Sequence, residues 1–282
     1  MHCKLVDVFS KQKLQGNGLT IFYDFDEHLD KRKMQAWTRE MRQFESIFVN
    51  TNAQPYRAWI FTMEEELDFA GHPLLGLAYH LHESIGTPNE QCHWSIELNH
   101  TVVELSSFWE GKHFKASMHQ GVPEFIATLS AAQAEPFYEA LGIGHLQPHD
   151  YSAQVISTGL PYLVVPIEHG LSKVVFKTTE LETMLEKYHA KFLYLVDINN
   201  FEGRTWDNRG SVEDIATGSA AGPVAVYLFE HGLTTHKKVT IKQGRFVDRP
   251  SEIDVELVCE RDQISDVVVS GYVTKVGSFI PQ

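Results

Sequence analysis

Short stretches of alternating apolar and polar residues recur along almost the whole chain, the period-two signature of strands with a buried face. The first lies at the N-terminus, with Cys3, Leu5 and Phe9 in one phase and Lys4, Val6 and Val8 in the other. Further strands are predicted over 19–24, 44–50, 56–62, 92–98, 101–108 and 112–118, and then over 152–157, 161–167, 191–197, 237–243, 252–259 and 266–275. Helical spacing is rarer. Residues 31–42 put Met34, Trp37 and Met41 on one face behind an N-cap at Asp30, and helices are also predicted over 131–141 and 179–189. Strands outnumber helices, and many follow one another without a helical crossover. This is an α+β pattern with antiparallel or mixed sheets.

Two segments depart from it. Leu74, Leu75, Leu77, Ala78, Tyr79 and Leu81 cover nearly the whole circumference of a helix over 73–83. Ala220, Ala221, Val224, Ala225, Val226 and Leu228 do the same over 220–231. A helix that is apolar all round must be enclosed, and strand-rich surroundings place each inside a curled sheet. Each follows a related turn, Asp68-Phe69-Ala70-Gly71-His72-Pro73 or Asp214-Ile215-Ala216-Thr217-Gly218-Ser219. A second pair, Asn17-Gly18-Leu19 and Thr158-Gly159-Leu160, leads into strands. Gly18 and Gly159 stand half a chain length apart, and Gly71 and Gly218 nearly so. Such spacing predicts an internal duplication. The expected result is two pseudo-symmetric domains, 1–118 and 119–271, each a barrel-like mixed sheet around a central apolar helix. Residues 119–130, with Gly121 and Pro123, read as the linker.

A single core stops growing near about 250–300 residues, so the 282 residues of this chain also favour two domains. The net charge of −13 argues against a nucleic-acid partner and against anionic membrane surfaces, which need clustered Lys and Arg. No run approaches the length of a membrane span, and the polar N-terminus does not read as a signal peptide. Cys3, Cys92 and Cys259 are too scattered for a disulfide framework or a zinc knuckle, which favours reduced thiols and the cytoplasm. His113 with His119, and His145 with His149, have ligand-like spacing but no third ligand in register, so no metal site is expected. Glycine-rich nucleotide loops and a nucleophile elbow are absent from the sequence.

Both apolar helices begin with an anion-binding device. Gly71 allows close backbone approach, His72 before a proline is expected to stay non-helical, and Pro73 suits the first helical position. Gly218, Ser219 and Ala220 offer a small hydroxyl and backbone N–H groups at the second helix start, where the dipole attracts carboxylate or phosphate. The alternative is that these residues only cap and turn the chain. Glu45 starts an apolar strand and is a candidate general acid or base, or else a solvated surface residue. Asp214 is a candidate site acid, or an anion stabilised by the helix end. Arg245 and Arg249 either reach a substrate carboxylate or lie in an exposed loop.

Taken in order along the chain, these motifs resemble those of the PhzF-like (phenazine biosynthesis isomerase) family, itself related to diaminopimelate epimerase. The matching stretches include Gly16-Asn17-Gly18, Phe44-Glu45-Ser46, Phe69-Ala70-Gly71-His72-Pro73, Glu213-Asp214-Ile215-Ala216-Thr217-Gly218-Ser219-Ala220 and Arg249-Pro250-Ser251. The resemblance implies a diaminopimelate epimerase-like fold with the site in the cleft between its domains. It implies Glu45 as the general acid/base, with His72, Asp214 and Ser219 as further polar site residues. It implies that a last strand, about 272–282, returns to the first domain, and that the chain forms a homodimer. Phe44, Met63, Ile215 and Gly18 depart from the commoner family residues, which bears on substrate identity. The two helix turns lack the cysteine pair of the epimerase branch, so a two-thiol mechanism is not expected.

The expectation is an isomerase that moves a proton on a small, anionic, carboxylate-bearing metabolite without a cofactor. Asn17, Gly71, Pro73, Gly218, Ser219 and Ala220 would bind the substrate, and Glu45, His72 and Asp214 would carry the chemistry. A non-catalytic binding protein and a two-base racemase using Glu45 and Asp214 are the alternatives.

Overall fold

The computed structural model describes residues 1–25, 29–261 and 263–281. In chain order the elements are β1 (His2–Val8), β2 (Asn17–Tyr23), α1 (Lys31–Met41), β3 (Glu45–Asn50), β4 (Tyr56–Thr62), a short β5 (Glu66–Leu67), α2 (Gly71–Ile85), β6 (Cys92–Glu97), β7 (Val102–Glu110) and β8 (His113–His119). Then come β9 (Glu124–Thr128), α3 (Ala131–Ala140), β10 (Gln154–Ser157), β11 (Pro161–Ile167), α4 (Leu181–Glu186), β12 (Phe192–Asp197), β13 (Glu202–Thr205), α5 (Gly218–Glu230), β14 (Lys238–Gln243), β15 (Ser251–Glu260) and β16 (Gln263–Phe279). They form two compact units. One is Met1–His119 with Arg249–Glu252 and Ser270–Gln282, and the other is Gln120–Asp248 with Ile253–Val269.

The first unit is a closed barrel in the order β1-β2-β3-β4-β6-β7-β8-β16, with β16 pairing back onto β1. The β2–β3 and β4–β6 pairs are parallel, while β1–β2, β3–β4, β6–β7, β7–β8 and β1–β16 are antiparallel. Helix α2 packs against β1, β2, β3, β7 and β8, and every residue from Gly71 to His82 is buried. Enclosure demands close approach at Gly76. A Cβ there would lie 2.3 Å from Leu19 Cδ2 and 3.2 Å from Val6 Cγ2.

The N-terminal strand shows why simple alternation misleads in a barrel. Val6 and Val8 approach α2 on the inside. Cys3 joins Phe22, Met34, Phe48 and Phe61 in an outer core beneath α1. Both phases of β1 are therefore buried, and no polar face marks an exterior. Helix α1 starts as its sequence predicts, with Asp30 accepting a hydrogen bond from the Lys33 amide at 2.9 Å.

The far end of α2 carries a polar cluster in which Lys4 and His80 are buried and Glu83 and Lys275 are partly exposed. Lys4 Nζ lies 2.9 Å from His80 Nδ1 and 2.5 Å from Glu83 Oε2, and Lys275 Nζ lies 2.9 Å from Glu83 Oε1. Burial raises the Glu83 carboxyl, but the hydrogen bonds from Lys4 and Lys275 outweigh it and hold the group down at about 2. The same burial pushes His80 down to about 3, with Lys4 adding to the effect, so His80 is a neutral acceptor for the lysine. Glu83 thus ties β1, α2 and β16 together at one point.

In the second unit the strand order is β9-β10-β11-β12-β13-β14-β15-β16. The β11–β12 and β13–β14 pairs are parallel, and β9–β10, β10–β11 and β12–β13 are antiparallel. Helix α5 packs against β10, β11, β12 and β14 and is buried from Gly218 to Leu228. Gly222 repeats the requirement seen at Gly76, since a Cβ there would lie 2.2 Å from Gln120 Oε1. Helices α3 and α4 cover a separate apolar cluster that includes Phe137, Tyr138, Leu181 and Leu185.

Three expectations need correction. Residues 119–130 are not a plain linker, because β9 occupies Glu124–Thr128. None of its residues is fully buried, so it shows no hydrophobic period. The helix expected over 179–189 is only α4, and the chain leaves it through His189 in the left-handed region, with the Ala190 amide bonding back to the Leu185 carbonyl. The strand expected over 266–275 runs from Gln263 to Phe279. Among the described residues no helix is long and apolar enough to cross a membrane.

The tight seat of Gly76 yields a prediction. Gly76→Val adds volume where the nearest atom is already at 2.3 Å. Overpacking of about 1–3 kcal/mol should outweigh the gain of up to about 1 kcal/mol from removing a helical glycine. Urea unfolding should show a lower midpoint than wild type, and an unchanged or higher midpoint would refute the enclosed seat.

Candidate active site

In the first unit the candidate residues meet because two strand starts and one helix start are brought together. Gly16, at φ +71°, makes the turn that pairs Asn17 with Val8, and a Cβ there would strike the Val8 carbonyl oxygen at 2.3 Å. The preceding loop is tied down by Asp7, which accepts from the Leu14 amide at 2.6 Å and from Arg249 Nη2 at 2.7 Å. Arg249 Nε also donates to the Gly16 carbonyl at 3.0 Å. Arg249 is therefore a brace of the first unit and not a loop cation. The left-handed Arg42 ends α1 and turns the chain into β3, whose first residue is Glu45. Parallel pairing sets Glu45 beside Leu19, on the face that looks at α2.

Glu45 is 8% exposed and His72 is 4% exposed. His72 Nε2 lies 3.4 Å from Glu45 Oε2. Burial drives the imidazole down to about 3, against a smaller opposing effect from its hydrogen bond to the Gly18 backbone. His72 is thus neutral. A ring nitrogen must carry the proton to meet the Gly18 carbonyl, and the nitrogen facing Glu45 is then a lone-pair acceptor. A proton can sit between this nitrogen and the Glu45 carboxyl, and the pair can hold or release one without burying a net positive charge.

The helix start also differs from expectation. His72 is helical, as the second residue of α2, and Pro73 is the third. The first three residues of a helix have amides without intrahelical partners, so proline at the third costs no hydrogen bond. Ala70 is the N-cap and no side chain caps the helix. Gly71 opens the helix with no side chain between its amide and the approaching strands.

In the second unit, Asp214 and the start of α5 form a separate group. Thr217, not Ser219, is the N-cap residue, and its hydroxyl turns away from the helix to donate to Asp214 Oδ2. Ser219 is the second helical residue, buried, with Oγ 2.8 Å from the Tyr162 hydroxyl. Gly218 and Ala220 flank it in the first turn, and the Gly218 carbonyl accepts from Gln120 Nε2 at 3.0 Å. Glu213, next to Asp214, is held by a two-pronged contact with Arg204, at 2.9 and 2.6 Å. Arg245 pairs with Glu202 at 2.8 Å through both guanidinium nitrogens and is exposed.

Sequence reasoning missed Gln243, Tyr162, Thr217 and Arg204. Gln243 left a signal, because it continues the phase of Val239 and Ile241 and so places an amide where an apolar residue is expected. Tyr162 left none, since a strand tyrosine is ordinary core material. The thiols stay out of both groups. Burial pushes Cys3 up to about 12, which makes it inert. Among the described residues no three His, Cys, Asp or Glu side chains are placed to hold a metal ion.

The sequence model of the phenazine biosynthesis-like protein family matches residues 6–278. The chain belongs to this family. It is 32% identical over 282 residues to the trans-2,3-dihydro-3-hydroxyanthranilate isomerase of Pseudomonas chlororaphis, covering 96% of this chain and 95% of that protein. The solved structure of a predicted epimerase from Pseudomonas aeruginosa is 44% identical, with a TM-score of 0.91 over 99% of this chain and 98% of that one. A phenazine biosynthesis protein of the PhzF family from Bacillus anthracis shares the fold at 19% identity, with a TM-score of 0.84 over 99% and 98% of the two chains. The relatives are isomerases and epimerases, and this member of the family is an isomerase.

The buried neutral histidine has a thermodynamic consequence. Its folded value of about 3 lies below the ordinary 6.5. Unfolding below pH 6.5 therefore takes up a proton, and the stability present above that pH is lost as pH falls toward 3. His80 behaves the same way. Each site steepens the pH dependence of unfolding by at most about 1.4 kcal/mol per pH unit. His72→Asn should make the slope of unfolding free energy between pH 6 and 4 shallower by up to that amount. An unaltered slope would mean that His72 carries charge in the fold.

Proposed function

We propose that this isomerase shifts a proton between carbons of a small carboxylate-bearing metabolite, without a cofactor, with Glu45 as general acid/base. The observation that carries the reading is the Glu45–His72 pair, buried at the start of an enclosed helix with the imidazole neutral. Glu45 takes the proton from carbon and returns it at another position. Neutral His72 orients that proton through its lone pair while Glu45 carries it, so no buried cation forms. Asp214, fixed by Thr217, orients the substrate or relays the proton.

The substrate anion is proposed to lie at the helix starts, against Gly71 and Pro73 on one side and Gly218, Ser219 and Ala220 on the other, with Asn17 beside it. Backbone amides and the helix dipole favour negative charge there, and the same groups stabilise charge that develops on oxygen. This places one substrate in a cleft between two pseudo-symmetric domains, a reading supported by the half-length spacing of Gly18 and Gly159. The family resemblance supports a homodimer, and the scattered cysteines support a cytoplasmic location. trans-2,3-Dihydro-3-hydroxyanthranilate, the compound in the name of the Pseudomonas relative, is the first substrate to try, followed by other small cyclic carboxylates.

The decisive experiment is Glu45→Gln, which keeps shape and removes the titrating group. A general acid/base contributes typically about 10²–10⁴-fold. Incorporation of solvent deuterium into a turned-over substrate should fall by at least about 100-fold while the ligand still binds. Exchange at the wild-type rate would transfer the role to His72 or Asp214. Inversion at one carbon without double-bond migration would point to a two-base racemase.

Ser219→Val tests the anion placement. If the hydroxyl bonds the substrate anion, binding of a small dicarboxylate should weaken by about 1 kcal/mol or more in isothermal titration. Equal affinity in the variant would remove Ser219 from the binding site.

A further inference from the structure

Gln243 ends β14, is 1% exposed, and uses both ends of its amide. Its Oε1 accepts the Thr217 backbone amide at 3.1 Å and the Tyr194 hydroxyl at 3.1 Å. Its Nε2 donates to the Asp214 backbone carbonyl at 2.9 Å and to Thr217 Oγ1 at 3.0 Å. The orientation of this amide is settled by its neighbours. A backbone N–H can only donate and a backbone carbonyl can only accept, so the oxygen must face Thr217 and the nitrogen must face Asp214.

One direction then fixes the next. Thr217 Oγ1 is an acceptor toward Gln243, so its single hydrogen points elsewhere, and the remaining partner is Asp214 Oδ2. Asp214 accepts at that oxygen. Behind the amide, Tyr194 is wholly buried and burial raises its phenol far above neutrality, so it stays a donor. Its ring is seated against Gly203, where a Cβ would lie 2.1 Å from Tyr194 Cε1. With the ring seated on Gly203, a tyrosine, a glutamine and a threonine thus form a chain of fixed donors that ends on one carboxylate oxygen.

We propose that Gln243 is a positioning residue that aims the Thr217 hydroxyl at Asp214 and so keeps Asp214 an ionised proton acceptor. This rests on the reading in which Asp214 belongs to the active site, and it assigns Asp214 the accepting side of the chemistry. The titratable groups facing the segment are Tyr194, Tyr162, Glu202, which is paired with Arg245, and Glu213, which is paired with Arg204. Both acidic neighbours are paired with a cation.

The test is a carboxyl-carbon NMR titration of the ligand-free protein labelled at aspartate, with the Asp214 signal identified by its loss in Asp214→Asn. Thr217→Val removes the hydroxyl at constant shape, and Gln243→Leu removes the amide that aims it. Each should raise the Asp214 midpoint by about one pH unit or more, because a hydrogen bond to the charged form is lost. Thr217→Ser should restore the wild-type midpoint. An unchanged midpoint in Thr217→Val, or an equal rise in Thr217→Ser, would overturn the proposal. If Gln243→Leu does not fold, Gln243→Met, of nearly the same length and without the amide, takes its place, and an unchanged Asp214 midpoint in whichever variant folds would overturn the proposal. If Asp214 titrates as expected but Asp214→Asn exchanges solvent protons at the wild-type rate, the positioning stands and the catalytic assignment of Asp214 falls.

Discussion

Enclosure of an apolar helix by a curled sheet, closed in the first unit, is the constraint from which the rest of each unit follows. Such a helix can satisfy its own backbone only in its middle, and its first amides must find partners at the mouth of the barrel. Residues from Gly71 to His82 in α2 and from Gly218 to Leu228 in α5 are all buried, yet neither helix has a side-chain cap. Polar side chains such as Glu45, His72, Thr217 and Ser219 therefore gather at the helix starts. Everything between is close packed, and a Cβ at positions 76 and 222 would press on Leu19 Cδ2 and Gln120 Oε1.

The two helix starts solve different electrostatic problems. At the first, a histidine too buried to be charged faces a glutamate, and the tautomer is set by the backbone of Gly18. Such a pair is −1 with Glu45 ionised and neutral with it protonated, so it holds one proton without burying a net positive charge. At the second, the hydrogen bonds run in one direction from Tyr194 through Gln243 and Thr217 to Asp214. That arrangement fixes an orientation and does not shuttle a proton.

Polar groups inside the barrels also serve the fold. Lys4, His80, Glu83 and Lys275 sit at the opposite end of α2, each satisfied by another. Lys4 is the buried charge among them, and without partners it would cost several kcal/mol. The cluster therefore rewards only the arrangement in which β1, α2 and the last strand meet at this point. It gives the closure of the barrel a specificity that apolar packing alone would not supply.

Periodicity alone determined the α+β class, most of the strands and the two enclosed helices, because a helix apolar on all sides leaves no other placement. The sequence also pointed to Glu45, His72, Asp214 and Ser219 through their motifs. It did not show β9, which buries no residue fully, or the four-residue β13, which holds no large apolar side chain, nor the early end of α4 at Glu186. It misplaced the N-cap of α5, because Thr217 and Ser219 are both small hydroxyls and only the backbone path distinguishes them. Tertiary structure alone decided the partners: that Arg249 braces Asp7 from the far end of the chain, that Thr217 serves Asp214, and that Gln243 aims it. Hydrogen bonds between residues distant in sequence depend on angles and distances within a few tenths of an ångström, and spacing along a chain does not encode those.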